Sequence, residues 1–72
     1  MDMAISGRNK LSGKVLEVQL GDIMALVTVQ VGENTIDAVI TRKSAEELKL
    51  KAGDQVAALV KATEVMILKG SN

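Results

Sequence analysis

KVLEVQLGDIMALVTVQVGENTIDAVIT, residues 14–41, decides the fold, because apolar residues recur in it at every second position. Leu16, Val18 and Leu20 alternate with Glu17 and Gln19, the period of a strand with one buried face. Gly21-Asp22 marks a turn. Residues 24–31 then set Ala25, Val27, Val29 and Val31 on one face and Met24, Leu26, Thr28 and Gln30 on the other. Gly32-Glu33-Asn34 is short and turn-prone, and residues 35–41 resume the alternation with Ile36, Ala38 and Ile40 inward, which predicts a β-hairpin.

The period changes after Thr41. Residues 42–50, RKSAEELKL, are strong helix formers with Ala45, Leu48 and Lys49 at helical spacing, so a helix of about two turns is expected. Thr41 and Ser44 are both suitable N-caps, and Ser44 with Glu47 fits a capping box. Lys51-Ala52-Gly53-Asp54 ends the helix. Two further strand-like runs, 55–61 and 63–69, are apolar on both faces, as suits a barrel wall covered by a neighbour. Three strands, a short helix and two strands make an all-β domain with one short helix, a five-stranded OB-like β-barrel. It is expected to be one domain over 1–72, with its core at about 9–69.

With 72 residues and no cysteine, the chain has a thin core and no disulfide to reinforce it, so association with other chains is the expected source of added stability. Nearly half the residues are apolar but none is aromatic, which leaves Val, Ile, Leu, Met and Ala to build the core. Nine basic and nine acidic residues cancel, which removes the broad positive field of a nucleic-acid or anionic-membrane binder. The missing aromatics also remove the base-stacking platforms of single-strand-binding OB barrels. No apolar run is long enough to span a bilayer, and MDMAISGRNK lacks the apolar core of a signal peptide, so a cytoplasmic protein is expected.

Without His or Cys, neither a transition-metal site nor a nucleophile–base pair can be assembled, and the chain is read as a non-enzyme. What remains is a set of hydroxyls and cations suited to a tetrahedral oxyanion: Ser6 and Arg8, Thr41 and Ser44 at the helix opening, and Lys61. Arg42 and Lys43 in the first helical turn oppose the helix dipole at a cost of about 0.3–1 kcal/mol each, which a bound anion would offset. Each residue also has a plainer role, the hydroxyls as helix caps and Lys61 as a strand-end lysine reaching solvent.

ISGRNKLSGKV at residues 5–15 and AVITRKSAEELKLKAGDQVAALVKATEVMI at residues 38–67 together resemble the Mop domain of the molbindin family. The resemblance implies reversible binding of molybdate or tungstate, without an organic cofactor, for storage and homeostasis. It also implies a homo-oligomer, a hexamer built as a trimer of dimers, with sites at subunit interfaces. Carried over by motif, S-x-R-N places Ser6 and Arg8 at the oxyanion with Asn9 as a secondary or structural contact. I-T-x-x-S adds Thr41 and Ser44, and K-A/S-T adds Lys61 and the backbone at Ala62. Gly7 stands where the family more often has Ala. The competing class is a structural or regulatory OB-like module without physiological oxyanion binding.

Overall fold

The computed structural model describes residues 9–70. Its elements are β1 (Asn9–Leu20), β2 (Met24–Val31), β3 (Asn34–Thr41), α1 (Arg42–Glu47) and β4 (Gln55–Val60), followed by a 3-10 turn at Ala62–Glu64. The four strands form one antiparallel sheet in the order β3-β2-β1-β4. The mainly β, OB-like architecture expected above is present, with one strand fewer and with the sheet unclosed.

β1 organises the sheet because it pairs with a different neighbour along each half. Its first part runs against β4, from Asn9 opposite Val60 to Lys14 opposite Gln55. The second runs against β2, from Lys14 opposite Gln30 to Leu20 opposite Ala25. Just past this crossover a β-bulge between Val15 and Glu17 adds a residue to β1, which bends a strand and increases its twist. The bulge also corrects the reading of β1: Val15 is the core residue, whereas Leu16, expected inward, is exposed.

The curved sheet gathers its apolar residues on its concave face. Val15, Val27 and Val29 form the centre, with Val18, Val31, Ile40, Leu50 and Val56 packed against them. The period-two reading of β2 and β3 holds: Ala25, Val27 and Val29 are buried, and outward-facing Thr28 donates a hydrogen bond to Asp37 across the pair. A two-residue loop joins these strands, with Gly32 at φ 61°, the left-handed conformation that a tight hairpin turn demands at its first central position.

The helix is shorter than its sequence suggests. α1 ends at Glu47, and Lys49 takes a left-handed conformation (φ 54°) that lets Lys49 N–H reach the Glu46 carbonyl and Leu50 N–H the Ala45 carbonyl. This is the hydrogen-bond pattern of a Schellman cap. It turns Leu50 back onto the core and leaves Leu48 exposed. Residues 51–54 form a separate turn tied to the crossover, where Val15 N–H donates to the Asp54 carbonyl (2.9 Å) and Gly53 N–H to the Val15 carbonyl (2.8 Å). The Asp54 carboxylate accepts from Lys51 N–H (3.0 Å) and Lys51 Nζ (3.2 Å), which hold its carboxyl below the usual 3.8.

The fifth strand expected at 63–69 is not formed within the chain. The 3-10 turn takes up its first residues, and the run beyond lies outside the sheet. Apolar patterning gives a segment the tendency to be a strand, but pairing needs an edge to receive it.

Gly13 sits where β1 passes between its two neighbours, and a Cβ there would run into the Gln30 carbonyl oxygen and come within 2.8 Å of Val29 Cγ1. Gly13→Ala should therefore destabilise the fold by about 1–3 kcal/mol, read as a lower urea midpoint at unchanged slope. Because the folded state lowers the Asp54 pKa, its contribution is fully present above 3.8 and is lost as pH falls below that value. The stability gap between native protein and Asp54→Asn should be constant above about pH 5 and shrink with further acidification, in thermal melts across pH.

Candidate functional site

Thr41 closes β3 and caps α1 in one step. Its backbone is extended (φ −72°, ψ 150°), and its Oγ1 accepts from Ser44 N–H at 3.0 Å while donating to Ser44 Oγ at 2.9 Å. Thr41 is thus the N-cap. Ser44 stands at the third helical position, so the Ser44–Glu47 capping box expected from sequence does not form. The two hydroxyls share one proton between their oxygens, which leaves the pair one hydroxyl proton to donate, unpaired among the described residues.

The two cations that follow divide their work. Arg42 is engaged: its Nε donates to Glu46 Oε2 at 2.9 Å and its guanidinium to the Gly21 carbonyl at 3.0 Å, while its backbone N–H reaches the Ile23 carbonyl at 2.7 Å. It fastens the start of α1 to the β1–β2 turn. Lys43 is exposed and makes no hydrogen bond or ion pair among the described residues. Sequence alone treated the two as equivalent; the four-residue spacing of Arg42 and Glu46 was the signal that separates them.

A second group of predicted residues lies elsewhere. Asn9 opens β1 opposite Val60, and Lys61 follows directly at the end of β4. The Lys61 carbonyl accepts from Glu64 N–H at 2.9 Å, which starts the 3-10 turn, and the Lys61 side chain makes no cap bond. Lys61 and Ala62 are exposed. Ser6 and Arg8 lie outside the described residues; in sequence they stand three and one positions before Asn9.

The two groups sit at opposite ends of the sheet. Thr41 is level with Met24, beside the Leu20 end of β1, whereas Lys61 adjoins the Asn9 end. The 12 residues of β1, at about 3.3 Å each, place roughly 35–40 Å of strand between those ends. One chain therefore brings Thr41 to Ser44, and Asn9 to Lys61 and Ala62, but not the first group to the second. An ion that used both would need donors from two chains.

Comparison with known proteins finds one family model and several named relatives that this chain resembles. The family model of the TOBE domain matches residues 5–67. Molybdenum-pterin-binding protein 1 of Clostridium pasteurianum is 45% identical over 67 residues, covering 92% of this chain and 98% of the relative. A molybdate-binding protein from Sporomusa ovata has the same fold, with a TM-score of 0.89 and 46% identity over 93% of this chain and 100% of that one. The cytoplasmic molybdate-binding protein ModG, solved with molybdate bound, matches with a TM-score of 0.79 and 41% identity, over 83% of this chain and 43% of its own.

Because the cap bond is local, Thr41→Ala should lower stability by about 1 kcal/mol and Thr41→Ser by much less, measured by denaturant unfolding without any anion present.

Proposed function

We propose, from the premise that this chain belongs to the TOBE domain family, within which it stands beside molybdenum-pterin-binding proteins, that it reversibly binds molybdate. The observation that carries this reading is identity of 46% to a molybdate-binding protein along that protein's whole length. The retained I-T-x-x-S and K-A-T motifs, exposed or half-exposed at the two ends of the sheet, support the choice of ligands.

The proposed ligand set is Thr41, Ser44 and the adjoining backbone of one chain with Ser6, Arg8, Lys61 and the backbone at Ala62 of another. Asn9 is a supporting contact. Hydroxyls and N–H groups supply directed donors for a tetrahedral dianion, and the two cations supply charge. At about 1.5–3 kcal/mol net for each bond to a charged group, four or five such donors reach micromolar affinity, about −8 kcal/mol, after ordering costs. No covalent bond is made or broken, so the role is binding rather than catalysis. Tungstate has the same charge and shape and fits the same donors.

The separation of the two ligand groups along β1 supports a homo-oligomer with sites between chains, and the hexamer implied by the sequence resemblance is the form we assign. Storage and buffering of the oxyanion in the cytoplasm follows from binding without chemistry. Among the described residues no helix is long and apolar enough to cross a membrane.

Lys61→Ala should weaken molybdate binding about ten- to a hundredfold in calorimetry, the equivalent of one charge-assisted bond of about 1.5–3 kcal/mol, with the fold intact. Neither Lys61→Ala nor the double variant Thr41→Ala/Ser44→Ala should bind well alone. Refolded together in equal amounts, they should recover about a quarter of the native sites by random pairing. Recovery of none would mean that each site is built within one chain, and full affinity in Lys61→Ala would remove that residue from the site.

A further inference from the structure

Between the two hydroxyls Thr41 and Ser44 stands a residue whose side chain bonds to neither. Arg42 follows Thr41 directly and binds in three directions at once. Its backbone N–H donates to the Ile23 carbonyl at 2.7 Å, its Nη1 to the Gly21 carbonyl at 3.0 Å and its Nε to Glu46 Oε2 at 2.9 Å. The receiving turn is itself closed, since Gly21 N–H donates to the Met24 carbonyl at 2.8 Å and Met24 pairs with Thr41. A ring of bonds thus runs from Thr41 through Met24 and Gly21 to Arg42 and back along the chain to Thr41.

As a source of stability Arg42 nearly cancels itself. An exposed ion pair four residues apart on a helix contributes little, and a cation in the first turn opposes the dipole. What the guanidinium adds is direction. α1 has six residues and buries only Ala45, so little else stops it from rolling about its axis. Side chains ride about 5 Å from a helix axis, so a roll of about 10° carries a hydroxyl about 0.9 Å. A displacement of that size takes a hydrogen bond of ordinary length out of range. The backbone bond to Ile23 sets where the helix starts, and the two guanidinium bonds set its roll, one reaching the β1–β2 turn and the other the second turn of the helix.

We propose that Arg42 and Glu46 are positioning residues for anion binding: the guanidinium, steadied by the Glu46 carboxylate, locks the roll of α1 on the Gly21 carbonyl and so holds the Ser44 hydroxyl in register with Thr41 for the ion. This assignment rests on the molybdate reading above. In it neither side chain is itself a ligand.

The test is calorimetry of molybdate binding by the native protein and by three variants, in about 0.5 M sodium chloride, which screens charges more than several ångströms apart. Charge and positioning then predict opposite signs. Loss of a carboxylate near a dianion tightens binding by charge alone, whereas Glu46→Ala is expected to weaken it on the order of tenfold, as when the partner that orients a metal ligand is removed. Glu46→Gln keeps an acceptor for Arg42 Nε and should bind like the native protein. Arg42→Lys keeps the charge, but one ammonium on a flexible stem does not reproduce the fixed fork to the Gly21 carbonyl and Glu46, so it should weaken binding as Glu46→Ala does. Denaturant midpoints without anion should stay near the native value in all three variants. Native or tighter affinity in Glu46→Ala, or a loss in Glu46→Gln equal to that in Glu46→Ala, would overturn the positioning role and leave the molybdate reading standing. Affinity losses matched by a fall in the anion-free midpoint would do the same. Absence of molybdate binding by the native protein would overturn both.

Discussion

The structure depends on one strand serving two partners. β1 gives its first half to β4 and its second to β2, with Lys14 paired to both. Two backbones can pass that crossover only because Gly13 has no side chain to hold them apart. The bulge beside it turns Val15 into the concavity, where it is the most completely buried of the large side chains. The loop before β4 is then bound through both backbone groups of Val15. Sheet curvature, the position of the core and the separation of the two ends of the sheet all follow from this short stretch.

What the crossover gathers is a modest core. The buried apolar residues are Val15, Ala25, Val27, Val29 and Ala45, none larger than valine. At about 0.8 kcal/mol for each buried methylene, such side chains gain little apiece. Larger ones, among them Leu20, Ile23, Leu48 and Leu59, remain at the surface. These exposed apolar side chains, beside so small a core, are an observation on which the proposed association of chains rests.

Most of the fold was legible because β2 and β3 follow a strict two-residue period, and because Gly32 marks the one place where a tight hairpin can turn. Less could be read of β1, since a bulge shifts the phase by a residue and both Val15 and Leu16 are apolar. The helix was overextended past Glu47 because Leu48 and Lys49 have good helical propensity, whereas the left-handed Lys49 is imposed by the need to bring Leu50 to the core. Strand five failed for a different reason: residues 65–68 have the composition of a strand, but composition does not name the edge that receives it. Of the candidate site, Thr41 and Ser44 were legible as a pair and Lys61 with Ala62 as another, whereas the approach of Asn9 to Lys61 comes from the pairing of β1 with β4. Their distribution to opposite ends of the sheet could not be read, because it depends on strand order. Arg42 was misjudged as an uncompensated cation, since its partners, Glu46 and the Gly21 carbonyl, lie partly in another hairpin.

The placement of Thr41 and Lys61 a strand's length apart has a consequence for dosage. Under the proposed ligand set a lone chain would hold two incomplete halves, and its carrying capacity at high dilution would be nil. As chains accumulate, complete sites appear at first with the square of concentration rather than in proportion to it, a steep onset obtained without any change of shape. Newly made protein would leave a scarce ion free for other users and begin to withdraw it only after its own abundance had crossed a threshold.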